Sequence, residues 1–137
     1  MARLLVTGGA GFIGSHTSLV LLKAGHDLIV LDDYSNSSPI ALERVCALDQ
    51  PDHNASKTRL KVWQGDIRDP LCLEALFSQA KSEGAPVEAV IHFAGLKAVG
   101  ESVREPLRYW DVNLTGSRCL LAAMDAHGCR TLVFSSS

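Results

Sequence analysis

The chain has 137 residues, 47% hydrophobic and 20% charged, the balance of an ordinary globular domain or part of one. Thirteen Lys and Arg against fifteen Asp and Glu leave a formal charge of −2, which argues against the basic surface of a nucleic-acid binder. No apolar run approaches the ~20 residues of a membrane span, so no membrane partner is expected.

The elements expected from the pattern alternate between strand and helix. The first strand covers Arg3–Thr7 and enters the turn Thr7-Gly8-Gly9-Ala10-Gly11-Phe12-Ile13-Gly14. Glycines there admit positive φ and close backbone approach. The first N–H groups of the helix that follows lack internal partners and carry the positive end of its dipole. Such a turn suits a pyrophosphate. The helix shows a stripe of Ile13, Thr17, Val20, Leu21 and Ala24, and Gly25 stops it. A second strand, Asp27–Leu31, runs into Asp32-Asp33. A short helix from about Pro39 to Leu48 and a polar loop from Asp49 to Thr58 come next. The third strand, Leu60–Gln64, leads to Gly65-Asp66-Ile67. Asp69-Pro70 reads as a cap and first turn, opening a helix with Leu73, Leu76, Phe77 and Ala80 on one face. The fourth strand, Val87–Phe93, runs into Ala94-Gly95-Leu96-Lys97. The longest helix is expected from about Glu105 to His127, with Leu107, Trp110, Leu114, Ser117, Leu121 and Met124 repeating at three and four before Gly128. The fifth strand is Thr131–Ser135.

Most of these strands are continuous apolar runs, as parallel strands covered on both faces require. The expected fold class is therefore α/β, a doubly wound parallel sheet of the Rossmann type with strand order 3-2-1-4-5. The sequence stops at Ser135-Ser136-Ser137, just past a strand and without a closing helix. It reads as one incomplete dinucleotide-binding domain over residues 1–137, truncated, with an uncovered sheet edge that favours association. Cys46, Cys72, Cys119 and Cys129 form no C-x-x-C pair, and Met1-Ala2-Arg3 leaves no room for a signal peptide. Reduced thiols in a cytoplasmic protein are expected, with no metal site.

Asp32 lies 24 positions after Gly8, close to the ~20 expected of an acid that binds an adenosine ribose. A carboxylate accepts from a 2′-hydroxyl and repels a 2′-phosphate, so NAD is expected over NADP. Asp66 is placed to accept an adenine amino group, though alone it reads first as a turn residue. His92 reads as a core or turn histidine. Lys97 reads as a phosphate or hydroxyl contact, or as a solvated lysine. Asn113, on an apolar helix, needs a hydrogen-bond partner: either the backbone near the fourth strand or a core amide's own contacts.

Thr-Gly-x-x-Gly-x-x-Gly at Thr7–Gly14 resembles the extended short-chain dehydrogenase/reductase family. The run His92-Phe93-Ala94-Gly95-Leu96-Lys97-Ala98-Val99-Gly100-Glu101-Ser102 is similar to the segment typical of UDP-glucose 4-epimerases. So are Gly14-Ser15-His16-Thr17, Gly65-Asp66-Ile67-Arg68 and Val133-Phe134-Ser135-Ser136-Ser137. The resemblance covers the whole chain but only the amino-terminal part of such an enzyme. It implies NAD, tightly held, and a hydride taken from C4 of a UDP-hexose and returned to the opposite face of a 4-keto sugar, interconverting UDP-glucose and UDP-galactose. By motif it puts Gly8, Gly11, Phe12, Ile13 and Gly14 at the pyrophosphate. It puts Asp32, Asp33, Tyr34, Ser35, Asn36 and Ser37 around the adenosine ribose. Asp66 and Ile67 fall at adenine, Phe93, Ala94, Gly95, Leu96 and Lys97 along the cofactor, Asn113 behind it, and Ser137 at the catalytic serine. It also implies a homodimer; the three-four apolar repeat of the long helix suits a dimer bundle, and a core helix gives the same pattern.

The family's base is a Tyr in Tyr-x-x-x-Lys, with the Lys lowering the Tyr pKa. Here Tyr34 is followed four residues on by Ser38, and Tyr109 by Asn113. These 137 residues alone are therefore expected not to turn over UDP-galactose. Two other readings stand beside this one: the cofactor half of another nucleotide-sugar dehydratase or decarboxylase, and a non-catalytic NAD-binding module. The Leu96–Ser102 segment weighs against the former.

Overall fold

The computed structural model describes residues 2–49 and 59–135. The polar stretch expected from Asp49 to Thr58 lies, past Asp49, outside the described residues, and so does Ser137. In chain order the elements are β1 (Arg3–Thr7), α1 (Phe12–Lys23), β2 (Asp27–Asp32), α2 (Pro39–Asp49), β3 (Leu60–Gln64), α3 (Pro70–Ser82) and β4 (Ala89–His92). Then come α4 (Val99–Arg104), α5 (Pro106–Trp110), a π-turn (Asp111–Thr115), α6 (Gly116–Ala126) and β5 (Leu132–Phe134). The strands form one parallel sheet in the order β3-β2-β1-β4-β5, as expected. Leu5 of β1 pairs with Ile29 on one side and Val90 on the other.

Side chains alternate across a strand, so a strand covered on both faces must be apolar throughout. β1 is buried at every position, and its centre, Leu4-Leu5-Val6, is apolar. Leu4 and Val6 face a cluster with Leu28, Val30, Leu22 of α1 and Leu42 and Val45 of α2. Leu5 faces the other layer, with Ile29, Val90, Leu73, Leu76 and Phe77 of α3 and Leu120 and Met124 of α6. Leu5, Leu28, Leu73 and Leu76 are fully buried, and truncating any one to Ala costs about 2–5 kcal/mol. The outer strands are less covered. β3 is largely exposed, and Val133 and Phe134 of β5 are more than half exposed.

The helix starts and stops follow the local chemistry. The Asp69 side chain accepts from the Leu71 N–H at 3.0 Å, and Pro70 takes the first turn. Gly25 and Gly128, both at positive φ, follow α1 and α6.

Three readings of helical segments need correction. α1 does not bury the expected Ile13–Ala24 stripe; it buries Gly14, Ser15, Ser18 and Leu22, leaving Ile13 and Val20 exposed. Small residues let it lie close to the glycine turn, and the Ser18 hydroxyl donates back to the Gly14 carbonyl at 2.8 Å. α4 falls where no helix was expected. The long helix is interrupted at the π-turn, where the Gly116 N–H donates to the Asp111 carbonyl five residues back. Its expected stripe also divides. Met124 is buried with Gly116, Cys119 and Leu120, whereas Leu107, Trp110, Leu114 and Leu121 face outward and are more than half exposed. Among the described residues no helix is long and apolar enough to cross a membrane.

Candidate functional site

The carboxyl ends of β1 to β4 converge on a cleft open to solvent. It sits where the strand order reverses around β1, the position at which open α/β sheets bind ligands. Its walls come from four turns. The glycine turn gives Gly8 and Gly11; the β2 end gives Asp32, Asp33, Ser35, Asn36 and Ser37. The β3 end gives Asp66 and Ile67, the β4 end Phe93, Ala94, Gly95 and Leu96, and the π-turn adds Val112.

The glycine turn admits no other residue at two positions. Gly8 has φ +68°, and a Cβ there lies 2.7 Å from the Ala94 nitrogen. A Cβ on Gly14 meets the Gly8 carbonyl oxygen at 2.2 Å. Gly11 caps α1 with no side-chain hydrogen bond. Among the described backbone hydrogen bonds none is donated by Phe12, Ile13 or Gly14. Three donors and the positive end of a twelve-residue helix are thus left for an anion. Phe12 and Ile13 contribute backbone only, since both side chains are exposed.

Asp32 is buried at the end of β2. Its Oδ2 accepts from the Ala10 N–H at 3.0 Å, and Oδ1 accepts from the Tyr34 N–H at 2.9 Å and the Ser37 hydroxyl at 3.0 Å. The carboxylate therefore ties the glycine turn to the β2 loop. Three of its roughly four acceptor directions are taken, leaving one for a ligand hydroxyl. Tyr34 is held at φ +60°. Its side chain packs against the core cluster around Val30 and does not line the cleft.

At the β3 end, Asp66 is gripped by Arg68. The guanidinium Nε lies 3.0 and 3.1 Å from the two carboxylate oxygens and Nη2 lies 2.6 Å from Oδ2. The Arg68 N–H also donates to Oδ1 at 2.8 Å. The Arg68 side-chain hydrogen bonds hold the Asp66 carboxyl below the usual carboxylate range. The other arm of the guanidinium, Nη1, reaches Asp111 Oδ2 of the π-turn at 2.6 Å.

The β4 end is held from behind. The Ala94 N–H donates to Thr7 Oγ1 at 3.2 Å, and Thr7 Oγ1 stands 2.6 Å from His92 Nδ1. On its other side His92 Nε2 stands 3.2 Å from the Ser117 hydroxyl, which donates to the Asn113 carbonyl at 2.6 Å. With the Ser117 proton committed, His92 donates from Nε2, and in the neutral imidazole that burial favours Nδ1 accepts from the Thr7 hydroxyl. Burial, then the charge of Lys97, lowers its pKa to about 4. Asn113 does find the backbone near the fourth strand: Oδ1 accepts from the Leu96 N–H at 2.7 Å and Nδ2 donates to the Leu96 carbonyl at 2.8 Å. Asn113 itself lies on a largely exposed part of the helix. Lys97 is exposed and donates to the Ser135 hydroxyl at 3.1 Å. Among the described residues no group of His, Cys, Asp and Glu side chains forms a metal site.

The sequence did not single out Thr7, Arg68, Val112 or Ser117 for the site. Thr7 and Ser117 were visible only as parts of a motif and a helical repeat. Arg68 stood only within the motif Gly65-Asp66-Ile67-Arg68, its Asp111 partner lying 43 positions away, and Val112 gave no local signal because it reaches the cleft from another wall.

The family model described as GDP-mannose 4,6 dehydratase matches residues 5–137. A UDP-glucose 4-epimerase of Arabidopsis thaliana is 52% identical over 97% of this chain, and one of Bacillus subtilis is 47% identical over 98%. The crystal structure of UDP-glucose 4-epimerase from Bifidobacterium longum in complex with NAD+ and UDP superposes with a TM-score of 0.87 at 45% identity, covering 99% of this chain and 37% of that one. The chain spans about a third of the length of these curated relatives, 35% and 36%. It belongs to the family that the GDP-mannose 4,6-dehydratase model describes, and within it resembles the UDP-glucose 4-epimerases.

Proposed function

We propose that these residues form the NAD-binding portion of a UDP-glucose 4-epimerase. The observation that carries the reading is the uncapped start of α1, with free N–H groups at Phe12, Ile13 and Gly14, opening beside a cleft that ends at Asp32. The residues fit the cofactor's chemistry. Free helix donors suit a pyrophosphate. Asp32, with one acceptor direction left, suits a ribose hydroxyl and rejects a 2′-phosphate. Asp66 and Ile67 stand for the adenine, and Phe93 to Lys97 for the remaining length of the dinucleotide. Bound there, NAD supplies a reversible hydride acceptor for C4 of the UDP-hexose. The chain's own part is to hold and orient: Thr7, His92 and Asn113 keep the 94–96 turn in place. Ser137 is assigned to the reacting C4 oxygen by its motif alone.

Neither Tyr has a Lys four residues on, so these residues supply no general base of the Tyr-x-x-x-Lys type. These 137 residues alone bind NAD and do not epimerise UDP-galactose. Calorimetric titration with NAD and a coupled assay for UDP-glucose test both halves. Turnover contradicts the second; absence of NAD binding by folded protein contradicts the first.

The outward repeat of Leu107, Trp110, Leu114 and Leu121 supports a homodimer paired through this helix. A second copy presents the same apolar stripe, and two such stripes cover each other. Sedimentation of the wild-type protein against Trp110→Glu tests this.

A further inference from the structure

Arg68 is not called for by the cleft's own chemistry: a cation beside the adenine end neutralises an acceptor and touches no predicted ligand group. Its geometry explains its presence. A carboxylate offers roughly four acceptor directions. Three N–H donors of Arg68, Nε, Nη2 and the backbone, make four contacts with Asp66, two on each oxygen; because one Nε hydrogen is shared between both oxygens, they use about three of those directions. The side chain of Asp66 still keeps 35% of its surface exposed and lines the cleft. One acceptor direction remains, on a group that cannot swing. A free aspartate at this position has χ1 and χ2 freedom and can turn both oxygens to solvent. A guanidinium also enforces a plane that an ammonium does not. The clamp is itself anchored, because Nη1 is held by Asp111 in the π-turn. That same turn contributes Val112 to the cleft wall and Asn113 to the Leu96 backbone. Adenine's wall at the β3 end and the wall at the β4 end are therefore braced against one short irregular segment.

We propose that Arg68 is a positioning residue that fixes the Asp66 carboxylate, through its brace to Asp111, so that a single oxygen is presented to a purine 6-amino group. The inference deepens the NAD-binding reading and rests on it. It makes base selectivity, and not affinity alone, depend on Arg68. A 6-amino group donates to the remaining acceptor; a 6-oxo group, as in hypoxanthine, is itself an acceptor and sets its lone pairs against the carboxylate. A hydrogen bond to a charged acceptor is worth roughly a ten- to hundredfold difference in binding.

The test compares NAD with nicotinamide hypoxanthine dinucleotide, titrated calorimetrically into wild-type protein, Arg68→Ala, Arg68→Lys and Asp111→Asn. Wild type prefers NAD by about tenfold or more. Arg68→Ala loses most of that preference, Arg68→Lys keeps the charge but loses about half of it on a logarithmic scale, and Asp111→Asn lowers it by about two- to threefold. A residue needed only for structure weakens both dinucleotides equally and leaves the ratio untouched; an unchanged ratio in Arg68→Ala overturns the proposal. Should Arg68→Ala fail to fold, the ratio is measured in Arg68→Lys and Asp111→Asn, with thermal melts confirming that they are folded, and an unchanged ratio in both overturns the proposal equally. Absence of any preference in wild type contradicts the adenine assignment of Asp66, and the inference falls with it. An intact wild-type preference with unchanged variants contradicts the role of Arg68 alone.

Discussion

Two sides of one helical segment behave in opposite ways. One side, from the π-turn into α6, gives Val112 to the cleft wall and carries polar groups that are each held by a partner far off in sequence: Asp111 by Arg68, Asn113 by Leu96, Ser117 by His92. The outer side carries Leu107, Trp110, Leu114 and Leu121, apolar and more than half exposed. Satisfied polar groups at the end of a sheet preorganise a small-molecule site. An exposed apolar stripe does nothing for a polar ligand and loses free energy until another protein surface covers it. On the reading proposed above, one helical segment serves two purposes, and mutations on its two sides separate them.

The largest effect is expected where the cleft's backbone is tightest. Gly8→Ala adds a Cβ 2.7 Å from the Ala94 nitrogen at φ +68°. We expect about 3 kcal/mol lower stability in urea unfolding, with NAD binding lost. An alanine variant with full stability breaks the claim that the glycine turn is sterically set.

The next effect is a pH dependence centred on His92. An unfolded histidine titrates near its ordinary value of 6.5, and the folded group near about 4, because burial and then Lys97 disfavour the cation. Between those values the unfolded chain binds a proton that the folded chain does not. Stability therefore falls as pH drops from about 6.5 to about 4 and this contribution levels off below, by at most about 3 kcal/mol. Urea midpoints at pH 7 and 4.5 check it, and His92→Gln flattens that part of the profile.

Removing the clamp on the 94–96 turn is milder. Asn113→Ala leaves the Leu96 N–H and carbonyl without their side-chain partner, at about 1–2 kcal/mol. NAD affinity falls with it, since Leu96 lines the cleft. The smallest change in monomer stability belongs to the outer side: Trp110→Glu or Leu114→Glu shifts it by less than about 0.5 kcal/mol. Sedimentation velocity of the same variants against wild type tests the proposed dimer: wild type sediments as a dimer and the variants as monomers. A helix whose outer and inner variants alter NAD binding equally contradicts the division of roles.

The difference between the two sides also marks what the sequence discloses. β1 and β2 were legible because strands covered on both faces must be apolar at nearly every position. The start of α3 was legible because Asp69 and Pro70 act within two residues of each other. The tight turn after β1 was legible because Gly8 and Gly14 leave no room for a Cβ, and glycines there stand out in the sequence. The face of α1 was misread because close packing there is achieved by Gly14, Ser15 and Ser18, which an apolar-stripe argument passes over. The π-turn leaves no pattern, since one extra residue in a helical turn alters hydrogen bonds and not composition. The Arg68–Asp111 pair spans 43 positions, and neither residue announces the other. The outward repeat was seen as a repeat, but periodicity alone does not say whether a stripe faces a core or a second copy.

Calorimetric titration of the folded protein with NAD and with NADP bears most directly on the cleft as a dinucleotide site. One NAD per chain and at least tenfold weaker NADP are expected, because Asp32 leaves a single acceptor for a 2′-hydroxyl and repels a phosphate there. Folded protein that binds neither, or binds NADP as well as NAD, contradicts that assignment.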